Sequence, residues 1–442
     1  MPKRHVSAPP LLESGCKGRT FLPIRKTFST IFLKFFHAII FCAIFVHKSK
    51  TNMELSVIEL VSKTLFIGIG TLLIIQLLYH LIIYIRIIRH QGKNHKGKNS
   101  YTDEQPPLSI IIYHNGEAEE LEQHLPSLLT QDYPQYEVIV ITDHKIGESV
   151  DYLKRIKATY PHLYYSYLPE SSKWISRKKL AITLGIRASK YDWLVFTESY
   201  CKPQSKRWLA LFARNFTPTT QIVLGYSAFQ KSKGWRQRCI SFDNYFRSLR
   251  FLCFALLRFP YMGIGRNMAY RKELFTTDKG FGKHLDLLRG DDDLFINQVA
   301  NKRNTRVFTD NEALVVMEPV KLKKFWREER LGYESTSRHF RGIHRHLLGF
   351  ETLTRFLFFL FVVAGIVWGI IQLYIPLIII ASLCLIIRFV SLSIILNKSA
   401  KIIGEKNRYY FTLPLLHILQ PLQSLKWKLV YLFSDKSEYK RR

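Results

Sequence analysis

No two of the six cysteines (Cys16, Cys42, Cys201, Cys239, Cys253, Cys384) form a C-x-x-C pair; they are scattered along the chain. That argues against a disulfide framework and a cysteine-built structural zinc site, and it suits a reducing compartment. Acids are scarce. In 442 residues, 34 Asp and Glu stand against 65 Lys and Arg, a formal charge of +31. Nucleic acid, anionic lipid and phosphorylated substrates all suit such a charge. Yet the chain has no zinc-finger, RRM or helix-turn-helix signature, and its aromatics lie mostly in apolar runs. A nucleic-acid partner would rest on charge alone. A basic belt beside membrane segments accounts for the charge more simply.

Long apolar runs are present. Thr64 to Ile85, TLFIGIGTLLIIQLLYHLIIYI, has no acid, Lys or Arg and is long enough to cross a hydrocarbon core ~30 Å thick. Arg86, Arg89, Lys93, Lys96 and Lys98 follow at once, which places that end in the cytoplasm by the positive-inside rule. Phe356–Ile371 and Pro376–Leu396 are two more apolar runs, joined by the uncharged QLYI, and read as a hairpin with its tip outside. Arg388, inside the last run, reads as a side chain that snorkels to the interface. Lys398, Lys401, Lys406 and Arg408 mark the return to the cytoplasm.

These runs divide the chain. We expect a transmembrane helix over 53–90, a cytosolic domain over 91–350, a transmembrane hairpin over 351–398 and a basic, interfacial segment over 399–442. In the last, Pro414 and Pro421 interrupt the apolar stretch Tyr409–Phe433 and weaken a spanning reading. Residues 1–52 form a poorly defined extension. Its apolar stretch, Ile31–Val46, is short and carries Lys34 and His37, so Met53 reads as the start of translation.

The middle of the chain alternates strand and helix patterns. LSIIIY (Leu108–Tyr113), YEVIVIT (Tyr136–Thr142), HLYYSYL (His162–Leu168) and DWLVFT (Asp192–Thr197) read as strands. EAEELEQHLPSLLTQ, ESVDYLKRIKATY and RKKLAITLGIRAS read as the helices between them. The fold class is therefore α/β, with a mostly parallel sheet covered on both faces. Ligands in such sheets bind beyond the carboxyl ends of the strands. Tyr113–Glu117, Asp143 with His144, and Glu198–Tyr200 converge there.

The stretch LSIIIYHNGEAEELEQHLPSLLTQDYPQYEVIVITD resembles the opening of the family-2 inverting glycosyltransferases of GT-A fold. KKLAITLGIRASKYDWLVFTES is similar to that family's lysine helix and DxD strand. PYMGIGRNMAYRKELF is similar to its acceptor-side loop, and GDDDLF to its catalytic-base motif. The resemblance covers roughly 105 to 340. With the flanking apolar runs, it suits the membrane-anchored bacterial members that extend polysaccharides or glycolipids. It implies a multi-pass enzyme of the plasma (bacterial inner) membrane with its catalytic domain in the cytosol. It also implies a nucleotide-sugar donor, a UDP-sugar foremost, a lipid-linked or glycan acceptor, contacts with membrane lipids, and no nucleic acid.

The same resemblance assigns roles. Glu117 matches the acid that touches the ribose, with Gly116 in place of the usual Asn; taken alone, it is a first-turn helix acid that suits the dipole. Asp143 matches the acid that reads the uracil ring, and otherwise is a turn residue. Lys178 or Lys179 matches the pyrophosphate-side lysine, at a helix N-terminus suited to phosphate. Arg266 and Asn267, in GIGRN, fall on the acceptor and phosphate side. Asp292 matches the base that takes the acceptor's proton, with Asp291 its neighbour; a shift of one residue makes Asp291 the base. As a local pattern, Asp291–Asp293 would also cap the helix DLFINQVANK.

A divalent cation, Mg²⁺ or Mn²⁺, is implied by the family, but TESY departs from its DxD. Glu198 keeps the first acid and Tyr200 replaces the second. A phenol is neutral below pH ~10 and a poor ligand for a hard cation. WREERLG (Trp326–Gly332) matches the family's closing segment only approximately, at Glu328 and Arg330. His339, His344 and His346 lack a metal-ligand spacing. The helix Trp235–Phe259, mixing Arg and aromatics, suits a membrane interface. Two readings stay open: a glycosyltransferase, favoured by the intact GDDD, and a non-catalytic glycosyltransferase-like membrane scaffold, favoured by the degenerate ESY.

Overall fold

The computed structural model describes residues 55–143, 145–169, 176–231, 233–318 and 322–434. The extension 1–52, Met53 and His144 lie outside them. The elements in chain order begin with helix α1 (Leu55–Tyr79), a π-helical turn (His80–Tyr84) and α2 (Arg86–His95). Then come β1 (Leu108–His114), α3 (Ala118–Leu129), β2 (Tyr136–Thr142), α4 (Glu148–Thr159), β3 (Leu163–Tyr167), α5 (Arg177–Ala188) and β4 (Trp193–Glu198). The second half holds β5 (Cys201–Pro203), α6 (Trp208–Ala213), β6 (Ile222–Leu224), β7 (Ser227–Phe229), α7 (Trp235–Leu256), β8 (Met268–Arg271) and α8 (Lys272–Thr277). It closes with α9 (Asp293–Val299), β9 (Thr305–Val307), β10 (Val315–Met317), α10 (Leu322–Thr336), α11 (His344–Ile371), α12 (Ile375–Ile402) and α13 (Leu413–Phe433).

The expected strands and helices of the first half fall where the periodicity put them. The four strands join β6, β8 and β9 of the second half in one sheet of seven, in the order β3-β2-β1-β4-β8-β6-β9. The pairs β2–β3, β1–β2, β1–β4 and β6–β9 are parallel; β8 runs antiparallel to both β4 and β6. The order reverses at β1, between β2 and β4, so the crevice beyond the carboxyl ends of β1 and β4 is the natural ligand position. Alternate residues serve opposite faces. Ile110 and Ile112 pack with Leu121, Leu125 and Leu128 of α3, while Ile111 packs with Ile182 and Ile186 of α5. A second sheet, β5-β10-β7, starts where the chain leaves β4: the Tyr200 carbonyl accepts from the Glu318 N–H at 2.9 Å.

Two compact units are distinguished. The smaller holds the described residues up to Ile67 with Val362–Ala381; within it the Trp368 Nε1–H donates to Ser62 Oγ at 3.0 Å. The larger holds Gly68–Phe361 and the described residues from Ser382 on, including both sheets. Among the described residues, three helical stretches are long and apolar enough to cross a membrane: Val57–His95, His344–Ile371 and Ile375–Ile402. All three extend beyond the apolar runs themselves.

Three expectations need correction. Arg388 does not snorkel: it is 0% exposed and donates to Gln76 Oε1 at 2.9 Å. It also lies 3.3 Å from His417 Nδ1 and over the Phe359 ring. Burial is tolerated because polar partners from other helices meet it, which no single-segment reading can foresee. Tyr409–Phe433 is not broken by its prolines: Pro414 sits in the first turn of α13 and Pro421 inside it, where the former costs no hydrogen bond. Finally, α7 is no surface helix: nearly every residue from Ile240 to Ala255 is buried.

Gly185 of α5 marks a close approach to the sheet, since a Cβ there would lie 2.8 Å from Ile111 Cγ2 and 3.7 Å from Ile141 Cγ1. Overpacking of this kind costs about 1–3 kcal/mol. Gly185→Val should therefore lower the thermal unfolding midpoint in detergent, while Gly92→Ala, with open space around it, should not. Equal midpoints for the two variants would contradict this packing.

Candidate active site

Lys178, in the first turn of α5, reaches two carboxylates from different parts of the chain. Its Nζ lies 2.6 Å from Glu198 Oε1, at the end of β4, and 3.0 Å from Asp291 Oδ2. Ser176 caps the helix with its hydroxyl and donates to the Leu288 carbonyl at 2.8 Å. Lys179 is turned away: it is 1% exposed and its ammonium donates to the His284 and Leu287 carbonyls. Of the two candidate lysines, Lys178 faces the site and Lys179 fastens the loop before it. Burial opposes the charge on Lys178, yet Asp291 and Glu198 hold its ammonium well above the ordinary lysine range. Burial pushes the Glu198 carboxyl up, against the pull of Lys178.

Gly290 opens the acidic turn with φ +100°, and a Cβ there would meet Leu294 Cδ1 at 2.6 Å. The turn then sends three carboxylates to three environments. Asp291, 3% exposed, is tied to Lys178. Asp293, 7% exposed, accepts from the Thr336 hydroxyl; burial, then the charge of Asp292, pushes its carboxyl up to about 8. Asp292 alone of the three is part-exposed. Its Oδ2 accepts from the Gly265 N–H at 2.8 Å and its Oδ1 from the Asp293 N–H at 2.7 Å. Burial, then Asp291, pushes its carboxyl above the usual range. The helix cap and the acid cluster are thus one feature.

Lys178, Glu198, Arg266 and Asp291–Asp293 line one small cavity together with Arg247, Arg289 and Glu329. Sequence reasoning missed the last three. Glu329 lies 2.8 Å from Arg266 Nη1, 3.7 Å from Arg289 Nη1 and 3.8 Å from Arg247 Nη2. Burial works against its charge, but the guanidiniums of Arg266, Arg289 and Arg247 hold its carboxyl well below the usual carboxylate range. Arg289 had a local signal, as the residue before Gly290. Arg247, on a helix far off in sequence, had none.

Glu117 and Asp143 line a second cavity, of ≈ 280 Å³, with His114, Gly116 and Ser149. Asp143 Oδ1 accepts from the Tyr113 hydroxyl at 2.8 Å and lies 3.0 Å from Arg177 Nε. Tyr113 also lines a recess with Lys178, Glu198 and Asp291, so its ring stands between the two groups. Asn267 lines neither cavity. It is 2% exposed, accepts from Trp208 Nε1–H, and donates to the Tyr226 and Ala313 carbonyls.

Tyr200 lies against the Phe325 ring, centroids 4.9 Å apart, and its phenol oxygen meets the Arg266 guanidinium. Burial, then Glu198, pushes the phenol well above its usual range. Among the described residues no three His, Cys, Asp or Glu side chains are grouped to hold a metal ion. The donor set as arranged does not fit a divalent cation: an ammonium already bridges Glu198 and Asp291, and the next position is a neutral phenol turned to a guanidinium.

The sequence model of glycosyl transferase family 21 matches residues 72–425. The chain belongs to that family. This family-21 protein is a glycosyltransferase, so the motifs read above identified the enzyme class, while the family matched is numbered 21. Among solved structures it is similar to a mannosyltransferase, PcManGT from Pyrobaculum calidifontis, in complex with GDP-Man and Mn²⁺. The TM-score is 0.50 at 15% identity, over 83% of this chain and 99% of that one, a likeness of fold. TarS 1–349 of S. aureus also aligns, at 13% identity over 74% of this chain and 91% of that one, with a TM-score of 0.36. No curated protein matches the family-21 chain.

The Glu329 cluster sets an acid limit on stability. Its folded carboxyl titrates below the unfolded one, so its stabilisation is complete above the unfolded value of ~4.3 and drains as pH falls through the folded value. Glu329→Gln should lower the unfolding midpoint at pH 7 and flatten its decline between pH 5 and 3. An unchanged slope would show that the three arginines do not hold Glu329.

Proposed function

We propose that this enzyme is a membrane-anchored, inverting glycosyltransferase of GT-A fold with its catalytic face in the cytosol. It transfers a sugar from a nucleotide-sugar donor, UDP-linked by the likeness at Asp143, to a lipid-linked or glycan acceptor. The observation that carries the reading is the position of Asp292: the open member of the acidic turn, beside a lysine–carboxylate triad at the switch point of the sheet. The neighbouring mannosyltransferase, with its nucleotide-sugar ligand, supports the donor class.

In an inverting transfer the acceptor hydroxyl oxygen bonds to the anomeric carbon as the bond from that carbon to the diphosphate breaks. The hydroxyl proton passes to a carboxylate, and the electron pair leaves on the diphosphate. Asp292 suits the base: its oxygens accept only backbone N–H bonds and keep lone pairs for the proton, and its raised affinity for protons suits work near neutrality. Asp291 suits it less, because its charge is spent on Lys178. Lys178, Arg266 and Arg289 on the same wall are fixed cations for the leaving diphosphate. They take over the charge neutralisation that a bound cation supplies elsewhere, and dependence on Mg²⁺ or Mn²⁺ is correspondingly weak.

Asp292→Asn should cost at least ~10²-fold in transfer while nucleotide binding stays near normal. The acid limb of the kcat/KM profile should lie above the ordinary carboxylate value of ~3.9, because the base works only when deprotonated and its pKa is raised. Near-normal turnover of Asp292→Asn, with loss in Asp291→Asn, would move the base by one residue.

Tyr200→Asp should raise Mn²⁺ affinity in the nucleotide-bound protein, read by calorimetry with EDTA or Mn²⁺. Strong Mn²⁺ dependence of the unmodified enzyme would overturn the fixed-cation reading.

A further inference from the structure

The candidate active-site cavity has two walls of opposite character. Lys178 with Glu198 and Asp291–Asp293 form one; Arg247, Arg266 and Arg289 with Glu329 form the other. On the second wall three guanidiniums gather round one carboxylate. Among the described residues, no other acid lies within ion-pair distance of any of the three. Asp243 of α7 and Glu334 of α10 pair instead with Arg330, at 3.5 and 3.7 Å.

Glu329 does not fill this cage. It accepts from Arg266 Nη1 at 2.8 Å, while Arg289 Nη1 and Arg247 Nη2 stand off at 3.7 and 3.8 Å, beyond hydrogen-bond distance. Arg247 is 8% exposed and Arg266 3%. Yet Arg247 Nε and Nη2 and Arg266 Nε have no hydrogen-bond partner among the described residues. Rings flank them, Trp326 and Tyr333 beside Arg247 and Phe325 beside Arg266, but a ring face is a weak acceptor. Three buried donors are thus left over, and they suit an anion with more oxygens than a carboxylate has. Phosphates take guanidinium forks two-pronged.

The chamber measures ≈ 40 Å³, against ~300–1,000 Å³ for a typical ligand site. A diphosphate therefore enters only where a wall group gives way. Glu329 is the wall group whose departure presents three guanidiniums to an anion. Its helix α10 is fastened on either side of it, by Phe325 against the Tyr200 ring and by the Thr336 hydroxyl on Asp293. The Glu329 side chain itself is 17% exposed, which leaves it as the part that moves.

We infer that Glu329 is a built-in competitor for the donor's diphosphate. Its carboxylate holds the cage of Arg247, Arg266 and Arg289 together and withdraws when a diphosphate binds there, and Arg247 becomes a further ligand of that diphosphate. Donor affinity is set below what the three arginines alone would give, and the returning carboxylate helps to expel the product diphosphate. The inference rests on the nucleotide-sugar reading and adds to it a residue that weakens binding.

The test titrates the full chain in detergent with inorganic pyrophosphate and with UDP, by calorimetry in EDTA. Glu329→Gln should bind both about tenfold more tightly than the unmodified protein, the scale of one charge-assisted hydrogen bond. It should do so although its unfolding midpoint is lower, a combination that loss of a merely structural contact does not produce. Glu328→Gln removes the same charge one residue away, at an exposed site 4.0 Å from Lys324, and should leave both affinities unchanged. Glu329→Asp keeps the charge on a shorter arm and should fall between. Adding Arg247→Gln to Glu329→Gln should cancel most of the gain. Equal or weaker binding of both probes by Glu329→Gln, or an equal gain in Glu328→Gln, would overturn the competitor; if Glu329→Gln does not fold, absence of any gain in Glu329→Asp would do so. Tighter pyrophosphate binding by Glu329→Gln, with no UDP binding by any form, would keep the competitor and sink the nucleotide-sugar reading instead.

Discussion

Lys178 joins the end of a central strand to the acidic turn that follows Gly290, and most of the site's geometry depends on that one ammonium. Glu198 and Asp291 come from segments far apart in sequence, and both approach within 3.0 Å of it. Without a cation between them, two buried carboxylates would repel, and at least one would take up a proton. Removing one partner from a buried ion pair typically costs about 3–5 kcal/mol because it strands the other charge. The triad therefore fixes where Asp292 points: with Asp291 anchored on one side and the Gly265 N–H on the other, its carboxylate has little freedom left.

A second ionic group repeats the logic with signs reversed. Glu329 is a single carboxylate among three guanidiniums, and it ties α10 to α7, to the loop before β8 and to Arg289 beside the acidic turn. A diphosphate entering this cavity offers the same guanidiniums a more strongly charged partner than Glu329 does. On the proposed function, the arginines are thus already gathered before any donor arrives, and donor binding is an exchange of anions rather than an assembly of cations, which is the less costly event.

The first half of the sheet was legible in the sequence because each strand and helix is contiguous and strongly periodic. Leu108–His114 and Trp193–Glu198 are apolar runs between polar turns, and Leu121, Leu125 and Leu128 sit at helical spacing. The second half was not legible. Its strands β6, β7, β9 and β10 have three residues each, too short for any period to show, and they exist only because neighbours complete them. The same divide holds for the site. Lys178, Glu198, Asp291 and Asp292 stand in motifs with local order, and the fold brings them together. Arg247 and Glu329 are ordinary members of basic and mixed-charge helices until tertiary structure sets them face to face. Asn267 shows the converse: a motif position whose amide is used up in holding β8 to its surroundings.

Arg388 and the candidate active-site cavity show how the large positive charge is distributed. Within the apolar helices, Arg388 is met by Gln76 and His417, and Arg355 by Gln420 and His417 with Glu351 at 3.7 Å, so buried cations there have polar or acidic partners. In the candidate active site, four basic side chains face five acidic ones, so its fixed charges nearly balance. The excess positive charge is therefore not concentrated where the chemistry sits. Part of it lies at exposed positions such as Arg338, Arg345 and Lys428. On the proposed mechanism, catalysis occupies a chamber whose fixed charges already nearly balance, and only a donor that outcompetes Glu329 disturbs them.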